Sequence, residues 1–148
     1  GTQSADEVLK SELNRERFGE LAQEMPIYAQ YPNEKQETYI KNLVRGAFAH
    51  GPELDDYISR YAVGWSFERI PRMAAAIMRT AMYEILYMPD IPNAAAINAA
   101  VELTKQYEPQ EVAAFVNGIL GSFVRAEFQD TPAKPEKAAA RTETAPEA

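Results

Sequence analysis

The sequence predicts an all-α fold. Apolar residues recur at three- and four-residue spacing along most of the chain, as a helix with one buried face requires. No alternating run bounded by hairpin turns competes with that pattern, and proline and glycine cut the chain into helix-length pieces.

Ser4, followed by Asp6 and Glu7, predicts a first helix start. Val8, Leu9, Leu13, Phe18 and Leu21 give it an apolar side until Met25-Pro26 ends it. A second helix is expected over 33–49, with Tyr39, Ile40, Leu43, Val44, Ala47 and Phe48 on its buried side, before His50-Gly51-Pro52 breaks the chain. Pro52 with Glu53, Asp55 and Asp56 makes a good first turn for a third, running to about Ala62, because proline loses no hydrogen bond there and carboxylates favour the positive end of the dipole. After a tight link at 65–68, Pro71 opens a long helix through Leu86 carrying Met73, Ala74, Ile77, Met78, Ala81, Ile85 and Leu86. Helices over 93–107 and 109–128 follow, so five or six helices with short connections form a bundle.

Beyond Phe128 no aromatic or branched aliphatic residue is present to offset the entropy of ordering, and residues 129–148 are expected to be a disordered tail after a helical domain at 1–128. The apolar fraction of 46% with six Phe, eight Tyr and one Trp suffices for one packed core. No stretch approaches the about 18 apolar residues of a membrane span, and the first residues lack a secretory pattern, so a cytoplasmic location without membrane association is the expectation. With no cysteine and a single histidine, His50, neither a thiolate nucleophile nor a zinc site is available, and no cofactor is implied. The net charge is −7 and no segment is basic, which argues against strong unaided binding to nucleic acid. Asp55, Asp56 and the scattered glutamates are expected to be solvated helix faces rather than a catalytic pair, so no enzyme is predicted.

Asn117 and Gly118 are unusual inside a helix, where glycine costs about 1 kcal/mol against alanine. They belong to a set of blocks: GWSFERI at 64–70, IMRTAMYEI at 77–85, DIP at 90–92 with AINAAVELTK at 96–105, and FVNGIL at 115–120. In this order and with these gaps, the chain resembles the NusB family of transcription antitermination factors, over about Gln36 to Arg125 and more weakly back to Ser4. The resemblance implies a NusB-like helical bundle of two small helical subdomains, without catalysis. It implies pairing with NusE, a small-subunit ribosomal protein, on boxA RNA of ribosomal RNA operons, within the RNA polymerase antitermination complex. An acidic chain fits such a task because the partner can supply positive charge.

Carried over residue by residue, Phe115 and Asn117 of the FVNG block and Lys105 on the preceding helix look like RNA-binding residues. An aromatic face stacks on an unpaired base, an amide bonds a base edge, and an ammonium meets a phosphate. Gly118 is expected to let a neighbouring helix approach, Trp65 to anchor the two halves, Tyr83 to lie in the core, and Arg79 and Glu84 to make ion-pair or backbone contacts between helices. Three departures from the family pattern stand out: the sequence starts after the family's arginine-rich segment and first helix, as expected of a truncated start or of a chain without them, Ala99 replaces a usual glutamate, and Asn93 replaces a common aromatic. Two alternatives follow. One is a divergent interaction domain without RNA binding, acting through a protein partner or a homodimer surface. The other is a detached accessory domain of a ribosomal RNA methyltransferase.

Overall fold

The computed structural model describes residues 3–128, so the expected tail at 129–148 lies outside the described residues. The described chain is helical and forms two compact units, residues 3–49 and residues 50–128.

In the first unit, α1 (Ala5–Glu12) opens on a capping box: the Ser4 hydroxyl accepts from the Glu7 amide, and the Glu7 carboxylate accepts from the Ser4 amide at 2.8 Å. The single helix expected from Ser4 to Met25 is in fact two. Asn14 separates α1 from α2 (Arg15–Ala22), because its amide group serves both ends. Its Nδ2 donates to the Lys10 and Ser11 carbonyls at 2.9 and 3.1 Å, and its Oδ1 accepts from the Arg17 amide at 2.8 Å. That pairing satisfies backbone groups which both helix ends leave open.

A 3-10 turn at Pro26–Ala29 leads toward α3 (Glu34–Ala49). Phe18 meets Tyr28 and Tyr31 edge-on at 5.2 and 5.1 Å, and Arg45 of α3 reaches Asp6 of α1 at 2.9 Å. On α3 only Gly46 and Ala47 are buried, whereas Tyr39 and Phe48, expected inside, are exposed. Helical spacing places those two at the exposed edge of the apolar stripe.

The second unit holds the larger core. His50 precedes α4 (Gly51–Tyr61), its ring against Tyr87 at 4.4 Å and its Nδ1 3.0 Å from Glu53 Oε1. The same carboxylate oxygen accepts from the Tyr87 hydroxyl at 2.8 Å. A 3-10 turn at Phe67–Arg69 precedes α5 (Arg72–Tyr87), which buries ten residues from Ala74 to Leu86, Tyr83 and Glu84 among them, while Met73 is exposed. Helices α6 (Asn93–Tyr107) and α7 (Gln110–Phe128) complete the unit. In packing order, α4 lies on α5, α5 on α6 and α6 on α7, and α7 returns to touch α4 and α5.

Phe123 is fully buried, with Tyr57 at 4.9 Å and Phe128 at 6.0 Å. Arg79 of α5 donates to Asp55 of α4 at 2.5 Å, an ion pair between helices. Asp55 keeps its side chain 38% exposed while it neutralises a half-buried guanidinium. The chain thus has seven α-helices among the described residues rather than five or six, the excess coming from the break at Asn14.

Candidate nucleic-acid interface

Helices α6 and α7 carry the three residues singled out in the sequence. Pro92 stands at the start of α6 and lets it begin abruptly, and Ala96, Ala100 and Thr104 form its buried face. Their small size brings the helix close to its neighbours. The buried Thr104 hydroxyl is satisfied within the helix, donating to the Ala100 carbonyl at 2.7 Å. Lys105, the next residue, turns outward into the last turn, where the negative end of the helix dipole favours a cation. Its ammonium donates to Glu102 at 3.1 Å, and both side chains are largely solvated. Such a pair is worth about 0–1 kcal/mol, so a phosphate can displace Glu102 at small cost.

On α7 the buried stripe is Ala113, Val116, Ile119, Leu120 and Phe123. Residues two apart on a helix point about 200° apart, so Phe115 and Asn117 flank Val116 on opposite sides. Phe115 is half-buried, its ring 4.6 Å from that of Trp65 and tilted by 41°. Asn117 is exposed, and its side-chain amide makes no hydrogen bond among the described residues. The structure thus leaves Lys105 and Asn117 both open to solvent, and it does not bring Phe115 onto the surface that Asn117 occupies.

Gly118 overturns its expected packing role. It is exposed, and a Cβ built there would meet nothing within 4 Å. No neighbouring backbone approaches it, so the fold itself gives no reason for glycine. Trp65, expected as an anchor, is 46% exposed and rests on Phe115 of its own unit. The signal that could have found it was Gly64, which has φ +85° and turns the chain immediately before the indole.

A cleft of about 460 Å³ follows Trp65 along the chain, lined by Phe67, Glu68, Ile70, Arg72, Ala75 and Arg79. The Arg79 guanidinium lies 5.8 Å from the Phe67 ring centre. Among the described residues no group of three or more His, Asp or Glu side chains is arranged to hold a metal, and no helix is long and apolar enough to cross a membrane.

A family model described as the NusB family matches residues 3–125. The transcription antitermination protein NusB of Acetivibrio thermocellus is 42% identical over 96 residues, covering 65% of this chain and 66% of the relative. Its counterpart in a Thermoanaerobacter species is 45% identical, with 65% and 67% covered. The chain therefore spans about two thirds of the length of these curated relatives. A solved structure of NusB from T. maritima superposes with a TM-score of 0.62 at 33% identity, covering 72% of this chain and 71% of that one. A match along nearly the whole described chain, joined to the shared helical fold, shows that this chain belongs to the NusB family.

Proposed function

We propose that the chain is an RNA- and protein-binding transcription antitermination factor that acts in the cytoplasm, with NusE, on boxA RNA of ribosomal RNA operons, within the RNA polymerase antitermination complex. The observation that carries this reading is the FVNG block, where Asn117 is exposed with an amide that makes no hydrogen bond among the described residues, inside a family whose members are named for antitermination. Lys105 supplies a cation in a weak surface pair, and Phe115 supplies an aromatic edge through its contact with Trp65. The net charge of −7 supports a shared grip, with NusE contributing positive charge that this chain lacks.

The test is a titration of labelled boxA-type RNA with the chain alone and with NusE, at two salt concentrations. Tight binding is expected only with NusE. Lys105→Ala is expected to weaken it and to lower the salt slope by about 0.7, the loss of one counterion-releasing contact on a single strand. Asn117→Ala is expected to weaken binding with the slope unchanged, because an amide releases no counterion. Full affinity in both variants would exclude these residues from the interface, and absence of binding with NusE would reject the function.

A further inference from the structure

We propose that Trp65 is a stacking platform for an unpaired RNA base, with Arg72 of the adjoining cleft receiving a neighbouring phosphate; this rests on the antitermination function above and extends it to residues that the FVNG block does not include. The loop that carries Trp65 is built rather than loose. Gly64 occupies the left-handed region at φ +85°, and the Trp65 amide donates to the Ala62 carbonyl at 3.1 Å, which fixes the base of the side chain. Phe115 backs the indole at 4.6 Å, yet 46% of the residue stays open to solvent. Val63 beside it is 89% exposed. An indole supported on one side and open on another costs little entropy to present, the condition that base stacking needs.

The charge pattern selects the partner. Among the described residues of the second unit, Arg60, Arg79 and Lys105 are each held by a carboxylate. Arg69, Arg72 and Arg125 are not; Arg125 donates to Ser122 Oγ at 3.2 Å, whereas Arg69 and Arg72 are exposed with no side-chain partner among the described residues. Two cations without acidic partners therefore follow the exposed indole within seven residues, in a chain that is acidic as a whole. Aromatic faces beside free guanidinium groups are the pattern of single-stranded nucleic-acid binding, in which bases stack and phosphates are neutralised. Glu68 in the same cleft can accept a hydrogen bond from a base amino group.

Trp65 is the only tryptophan of the chain, so one label reports this site alone. The chain carrying 5-fluorotryptophan, with unlabelled NusE, is titrated with boxA-type RNA while the single fluorine resonance is followed. Affinity is measured in parallel for Trp65→Leu, Trp65→Phe and Arg72→Ala, and thermal unfolding of each variant establishes that it is folded. The resonance is expected to shift on RNA addition with the same midpoint as binding. Trp65→Leu is expected to weaken binding about 10-fold and Trp65→Phe by less, given the worth of one stacked base. Arg72→Ala is expected to lower the salt slope by about 0.7.

A fluorine resonance indifferent to RNA, with Trp65→Leu binding normally while Lys105→Ala and Asn117→Ala are impaired, would overturn this inference and leave the function intact. A shift produced by NusE alone, with no further change on adding RNA, would assign Trp65 to a protein interface and overturn it equally. Absence of RNA binding altogether would reject both.

Discussion

The Tyr61 hydroxyl donates a 2.6 Å hydrogen bond to Glu127 Oε2, tying the last turn of α4 to the last turn of α7. Arg60 reaches the same oxygen at 3.3 Å, so the carboxylate is held by two donors from consecutive residues. Removing the hydroxyl leaves Glu127 with the guanidinium and solvent. Tyr61→Phe is expected to cost about 1 kcal/mol, at the lower end of bonds to charged groups because the pair is partly solvated. Urea unfolding with an unchanged m-value would measure it, and a loss below about 0.3 kcal/mol would show the bond to be idle.

The same bond sets an alkaline limit. The Glu127 carboxylate holds the Tyr61 phenol above its ordinary value near 10, burial raises Tyr83, and burial followed by the Glu37 contact raises Tyr31. A group whose folded pKa exceeds its unfolded one lends stability that is complete below the unfolded value and lost as pH rises through the folded one. Stability is therefore expected to fall above about pH 10, and less steeply in Tyr61→Phe. Urea midpoints measured from pH 8 to 11 test this, and equal slopes in the two proteins would refute the assignment to Tyr61.

Gly118 lies mid-helix in α7, exposed, with open space where a Cβ would stand and no positive φ. Gly118→Ala is expected to stabilise the chain by about 0.5–1 kcal/mol. Gly121→Ala should gain less, since its Cβ would come within 3.2 Å of Arg125 Nη1 and push that flexible side chain aside. Chemical denaturation of both variants makes the comparison. A more stable Gly118→Ala protein with weaker RNA binding would show that glycine is kept there for a ligand's close approach.

Phe123 is the hub of the α4–α7 contact, fully buried against Tyr57 and Phe128. Phe123→Ala is expected to cost about 3–5 kcal/mol, the transfer and cavity cost of a buried phenyl ring. Calorimetry would show a large fall in Tm, and a shift of only a few degrees would mean that the second unit collapses around the gap.

Much of the fold was legible because the 3.6-residue period is a property of the chain itself. Helices at 93–107 and 109–128 follow it within a residue or so. The break at Asn14 was not visible, since α1 and α2 keep apolar residues at compatible spacing and only a side-chain bond to both helix ends reveals it. Tyr39 and Phe48 mark a second limit: periodicity says which residues share a face, and packing alone says whether anything covers it. For the candidate site, the residue types were readable from the FVNG block, but a block invites treating adjacent letters as one surface. The helix turns about 100° per residue, so Phe115 and Asn117 diverge, and that much was available from the spacing. The exposure of Trp65 was not, because a loop aromatic has no period to place it.

The order in which the second unit packs its helices, each chiefly on its chain neighbour, bears on how quickly it assembles. Contacts between consecutive helices close short loops, which costs little chain entropy and favours millisecond or faster kinetics. The return of α7 to α5 and α4 spans longer stretches, the one to α4 the longer of the two, and Tyr61 with Glu127 sits on that clasp. Tyr61→Phe is accordingly expected to accelerate unfolding while hardly slowing refolding, which places the clasp after the rate-limiting barrier.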